Sequence, residues 1–183
     1  MSQQVCLTRR SALKAAFACV AASPLVFAQE PKRVSPHETV SVDLNGQKIS
    51  ITYGRPSLKG RKMLGGENPY GKVWRLGADE ATKLTVSGKT VVNNALELAP
   101  GSYSLFAIPY SDHWTMIVNK VAEQWGAFKY EQSEDLARFD LKVKHLDSPV
   151  EEFTITLTKE GNNTARATFA WGDASVSTTF KAQ

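Results

Sequence analysis

Two alternating segments joined by Asn45-Gly46 constrain this chain more than any other feature. Val40, Val42 and Leu44 recur at every second position of Glu38 to Leu44, and Ile49, Ile51 and Tyr53 do so in Gln47 to Tyr53. A period of two puts one set of side chains on a single face of a strand. Asn-Gly accepts the positive φ angles of a tight primed turn, so the pair is predicted to form a β-hairpin. In that register Val40, Val42, Ile49 and Ile51 face a core, while Ser41, Asp43, Lys48 and Ser50 face away.

Strand-like patterning returns at Thr82 to Val86, Thr90 to Leu98, Ser102 to Ile108, Trp114 to Asn119, Leu136 to Lys144, Val150 to Thr158, Thr164 to Trp171 and Ser175 to Phe180. Only Glu131 to Ala137 suggests a short helix, and no long helical pattern is available for parallel crossovers. The predicted class is all-β, an antiparallel β-sandwich or jelly-roll-like domain of about nine strands. From Gly54 to Asp79 the alternation stops, and glycines, two prolines and several Arg and Lys residues mark one long loop. Tyr70 and Trp74 supply aromatic anchors that predict an ordered loop, and long ordered loops are where sites concentrate.

The first 28 residues differ in kind. Arg9, Arg10 and Lys14 precede an apolar run from Ala15 to Val26, no acid occurs before Glu30, and Val26-Phe27-Ala28 has the small residues of a cleavage site. This predicts a signal peptide, 1–28, cut after Ala28, then a short linker, 29–36, and a single β domain, 37–183, in the periplasm or secreted. Thr8-Arg9-Arg10-Ser11-Ala12-Leu13-Lys14 resembles a twin-arginine signal, although Ala12 stands where that motif carries a large apolar residue. An ordinary Sec signal with two arginines is the other reading, and neither route requires a cofactor; none is implied. Both cysteines, Cys6 and Cys19, fall in the removed segment, which excludes disulfide and thiol chemistry from the exported domain. Three of the 22 Lys and Arg lie there too, so the remainder, with 18 Asp and Glu, is nearly neutral. Nothing in that balance favours nucleic acid or a membrane surface as partner, and no later apolar run is long enough to be an integral span.

Several blocks stand in one order: Ser35-Pro36-His37-Glu38, Ile51-Thr52-Tyr53-Gly54-Arg55-Pro56-Ser57-Leu58-Lys59-Gly60-Arg61, and Pro69-Tyr70-Gly71-Lys72-Val73-Trp74-Arg75-Leu76-Gly77-Ala78-Asp79-Glu80-Ala81-Thr82. Pro100-Gly101-Ser102-Tyr103-Ser104-Leu105-Phe106-Ala107-Ile108-Pro109, Trp114-Thr115-Met116-Ile117-Val118-Asn119 and Gln124-Trp125-Gly126 follow. Together they resemble the bacterial domain of unknown function family 2911 over nearly all of the chain after the leader. The resemblance implies an exported β-sandwich-like domain and no established activity. Asp79 departs from it, since the family pattern has Asn before the Glu.

Candidate site residues cluster in and beside the long loop. Arg55, Arg61 and Arg75 offer planar forks for carboxylate or phosphate, Asp79 and Glu80 offer acids, and Tyr70, Trp74 and Trp125 offer faces for a sugar or ring. The same arginines would equally serve to pair with acids and carbonyls of an irregular loop. His37 precedes the first strand and Arg55 follows the second, so the hairpin predicts that they meet, with Arg75 and Glu80 entering from the far end of the loop to form the principal pocket. His37 with Glu38 or Glu80 is a candidate base and partner for a hydrolase, but no nucleophile motif accompanies them. His37, Glu38, His113 and His145 lack the short spacings of a metal site, and no metal is expected. A small polar, anionic or sugar-like molecule is the expected partner; a hydrolytic enzyme and a structural or partner-binding envelope protein are the alternatives.

Overall fold

Asn45 and Gly46 adopt φ of 49° and 80°, the positive pair that a primed turn requires. Around them β1 (His37–Leu44) and β2 (Gln47–Gly54) pair antiparallel, with Val42 opposite Ile49 and His37 opposite Gly54. Leu44, Ile49, Ile51 and Tyr53 are buried, and Val40 and Val42 pack against them from the strand at the sheet edge. Ser41, Asp43 and Lys48 are exposed and Ser50 is half-buried on the outer face. The computed structural model describes Lys32–Gln183. The expected signal peptide, its cleavage site and both cysteines lie outside the described residues, as does the start of the expected linker.

The remaining strands are β3 (Thr82–Val86), β4 (Thr90–Val92), β5 (Leu96–Leu98), β6 (Gly101–Pro109), β7 (His113–Asn119), β8 (Asp135–Lys142), β9 (Lys144–Lys159) and β10 (Thr164–Ala182). They form a six-stranded sheet, β1-β2-β3-β6-β7-β8, and a four-stranded sheet, β5-β4-β10-β9, with every pairing antiparallel. The inner faces of both meet in one apolar core, which makes the domain a β-sandwich. Among the described residues no helix is long and apolar enough to cross a membrane.

Three elements depart from the sequence expectation. Thr90 to Leu98 is not one strand but two, folded back at Asn93 and Asn94, whose φ of 50° and 56° are tolerated because a short amide side chain can bond locally. Thr164 to Trp171 and Ser175 to Phe180 are not two strands but one. Gly172-Asp173 makes an irregularity in the pairing with β9 instead of a turn, so the strand bends without ending. The short helix is a single 3-10 turn, Gln132–Glu134, leading into β8.

β6 and β7 carry nearly continuous apolar runs because both of their faces are covered. Leu105, Ala107, Met116 and Val118 join the main core, whereas Phe106 and Ile117 join a second cluster with Ala81, Ala127 and Tyr130 on the outer face. The long loop is stitched to both sheets by backbone. Trp74 exchanges N–H···O bonds of 2.7 and 2.9 Å with Ala107 on β6, while Phe153 donates to the Pro56 carbonyl and Leu58 to that of Glu151, both at 2.9 Å, on β9.

Candidate functional site

The candidate residues divide among three hollows of the described residues, one of which the long loop walls. On the outer face of the six-stranded sheet, His37 at the start of β1 meets Glu80 at the end of the loop, with Nε2 2.8 Å from Glu80 Oε2. Its Nδ1 lies 3.0 Å from the Ser35 carbonyl. Both ring nitrogens thus face oxygens of the domain itself. Arg33 donates to the other Glu80 oxygen at 2.6 Å. Burial works to raise the Glu80 carboxyl, but hydrogen bonds from its own backbone N–H, Arg33 and His37 outweigh it and hold the group below the ordinary value. Asp79 is 8 % exposed and accepts the Val34 and Ser35 N–H groups at 3.2 and 3.0 Å. It sits at φ 62°, a conformation Asp shares with Asn, but the two acceptor oxygens of the carboxylate suit the two N–H groups better than one amide oxygen would. Residues 33–36, expected as linker, are therefore fastened to the domain. The hollow beside this network measures about 70 Å³ and is bordered by Thr52, Lys83 and Gln124.

Arg55 does not enter that hollow. Its backbone meets the first strand as expected, with the Arg55 N–H donating to the Pro36 carbonyl at 2.7 Å, but alternation turns its side chain to the opposite face from His37. There its guanidinium holds Glu38 at 3.0 Å, Glu152 at 3.3 Å, Thr154 at 3.1 Å and the Phe153 carbonyl at 3.3 Å, which ties β1 to β9 across the sandwich edge. Arg75 is also spent locally, donating to the Asp79 carbonyl at 3.1 Å, the acceptor that the Gly126 N–H also uses. The expected single pocket of His37, Arg55, Arg75 and Glu80 is corrected to one pair, His37 with Glu80, and two separate structural clamps.

The aromatic candidates also part. Trp74, expected to present a face, is 5 % exposed and lies in the core, stacked on Trp171 at 5.4 Å and edge-on to Trp114 and Phe153 at 5.7 and 5.1 Å. Its Nε1–H donates to the Gly77 carbonyl at 3.0 Å, so the indole anchors the loop to the core. Trp125 pairs with Glu80 in an isolated bridge and borders a hollow of about 300 Å³ with Val121, Lys129 and the 84 % exposed Phe128. Tyr70, 45 % exposed, borders the largest of the three, a cleft of about 350 Å³ between the long loop and the bend of β9 and β10.

Leu58, Met63, Leu64, Pro149 and Trp171 give this cleft its apolar wall, and Arg61, Lys62 and Asp173 its polar rim. All three Arg61 nitrogens are engaged, by the Leu58 and Ser57 carbonyls at 3.0 and 2.9 Å and by Glu67 at 2.9 Å. Lys62 and Asp173 make no ion pair among the described residues and are the charges left for a ligand. Sequence patterning groups Trp171 with the other tryptophans but favours Trp74 and Trp125 for stacking, and it passes over Lys62 and Asp173. The usable signals were the adjacent apolar pair Met63-Leu64 in a polar loop and the glycine that interrupts β10. Elsewhere His113 lies 2.8 Å from Asp112 and stacks on Tyr110, and His145 is exposed on β9. Among the described residues no three His, Cys, Asp or Glu side chains gather as a metal site would require.

Fold and cleft define an antiparallel β-sandwich domain whose principal hollow is walled by one long ordered loop. The chain belongs to the family described as protein of unknown function (DUF2911), whose profile matches residues 35–180. No curated protein and no solved structure matches it.

Proposed function

We propose that this protein is an exported binding module that holds a small polar, anionic or sugar-like molecule in the cleft between the long loop and the bend of β9 and β10. Export rests on the leader-like residues 1–28. The binding reading rests on the cleft, whose volume of about 350 Å³ falls within the range of roughly 300–1,000 Å³ typical of small-molecule sites. An apolar wall supplies affinity, and unpaired charge at the mouth supplies orientation. The hydrolytic alternative centred on His37 is disfavoured because a general base needs a nitrogen free to take a proton, and both of its nitrogens face oxygens of the domain itself.

Native mass spectrometry of the protein purified from envelope extract tests the reading. A small-molecule adduct is expected on the wild type and on His37→Gln, and is expected to be lost from Leu64→Trp, which fills the cleft. An adduct that survives Leu64→Trp but disappears with His37→Gln would move the site to the other face.

A further inference from the structure

Tyr70 is the one large aromatic side chain at the cleft that is neither buried nor paired with another ring among the described residues. Its orientation is set by Gly65. A Cβ placed on Gly65 would fall 2.6, 2.7 and 3.1 Å from Cε2, Cζ and Cδ2 of the Tyr70 ring, a narrow spread over three adjacent atoms that a face-on approach produces. One face of the ring therefore lies flat on the bare backbone of Gly65, where a side chain would displace it. That backbone is held by a knot of hydrogen bonds: Gly65 N–H to the Asn68 carbonyl at 2.9 Å, and Asn68 N–H to that of Met63 at 2.7 Å. A tyrosine laid down in this way forfeits little conformational freedom when its other face is covered.

The charges narrow what could cover it. Arg61 spends three of its five N–H groups on the loop and has its charge offset by Glu67. Lys62, without an ion pair among the described residues, shares the rim with the acid Asp173, so little net positive charge remains to hold a phosphate or other dense anion against water. A purely apolar ligand would leave Lys62 and Asp173 without a role. Lys62 donates and Asp173 accepts, and a hydroxyl both donates and accepts. A pyranose combines a C–H face with a rim of hydroxyls, and the electron-rich ring face of a tyrosine attracts such C–H groups.

Building on the reading of the cleft as the binding site, we infer that its ligand is a neutral saccharide, one ring of which stacks on the open face of Tyr70 with its hydroxyls toward Lys62 and Asp173. Titration of the protein with cellobiose, maltose and chitobiose, followed by amide NMR shifts, tests this. At least one disaccharide is expected to saturate shifts at residues 58–71 and 171–173. Tyr70→Phe keeps the stacking ring and is expected to bind like the wild type, whereas Tyr70→Ala and Gly65→Ala weaken binding by about tenfold. Tyr70→Phe binding as weakly as Tyr70→Ala would replace stacking by a hydroxyl contact and overturn the inference. If these amides shift with envelope extract but with none of the disaccharides, the saccharide falls and the cleft reading stands; if neither shifts them, both fall.

Discussion

Trp74 was a candidate ligand-stacking residue in the sequence and is a core residue in the structure, and Trp74→Ala separates the two roles. The substitution empties a site 5 % exposed, removes three ring contacts at 5.1 to 5.7 Å and strips the Gly77 carbonyl of its donor. The rings of Trp114, Trp171 and Phe153 wall the vacated space, and the contacts each makes with the indole are lost outright. Truncation of a buried aromatic to alanine costs about 3–5 kcal/mol, and the lost hydrogen bond places this case near about 4. For a domain of this size that lowers the thermal midpoint by about 8–16 °C. Calorimetry measures this directly, and Trp74→Phe, which refills most of the volume, is expected to lose less than half as much. A midpoint within about 2 °C of wild type in Trp74→Ala would be a shift worth less than about 1 kcal/mol and would refute the packing argument.

Two further outcomes concern the outer-face network. Asp79→Ala is expected to cost about 2 kcal/mol, because two N–H groups lose a charged acceptor but regain water, and to speed amide exchange at Val34 and Ser35; unchanged exchange would mean that residues 33–36 are held by other contacts. Glu80 has a folded value below 4.5, so its carboxylate stabilises the fold fully above that pH and the contribution is lost as pH falls through the folded value. In urea unfolding the stability gap between wild type and Glu80→Gln should therefore narrow as pH is lowered from 4.5, and a gap that widens in acid would contradict the assignment.

The hairpin was legible because its two signals, period-two alternation and Asn-Gly, are local and agree. Class and sheet type followed from the same alternation repeated along the chain. Strand ends were less legible, since Asn93-Asn94 and Gly172-Asp173 are both turn-prone and only pairing with other strands decides that the first reverses the chain and the second merely bends it. The loop's order was readable from Tyr70 and Trp74, but not which of them would be buried. Arg55 shows the limit most clearly: sequence placed its backbone beside His37, yet one residue of strand phase sends its side chain to the other face. The cleft itself joins residues 58–70 to residues 149–173, and no local pattern links segments that far apart.

The most direct test of the central claim is to add envelope extract to the isotopically labelled protein and map which backbone amides shift. Binding at the cleft moves Leu58, Lys62, Leu64, Tyr70, Trp171 and Asp173 together and leaves the other two hollows unchanged. Shifts centred on His37, Glu80 and Gln124, or on Val121, Trp125 and Phe128, with the cleft amides unmoved, would contradict it.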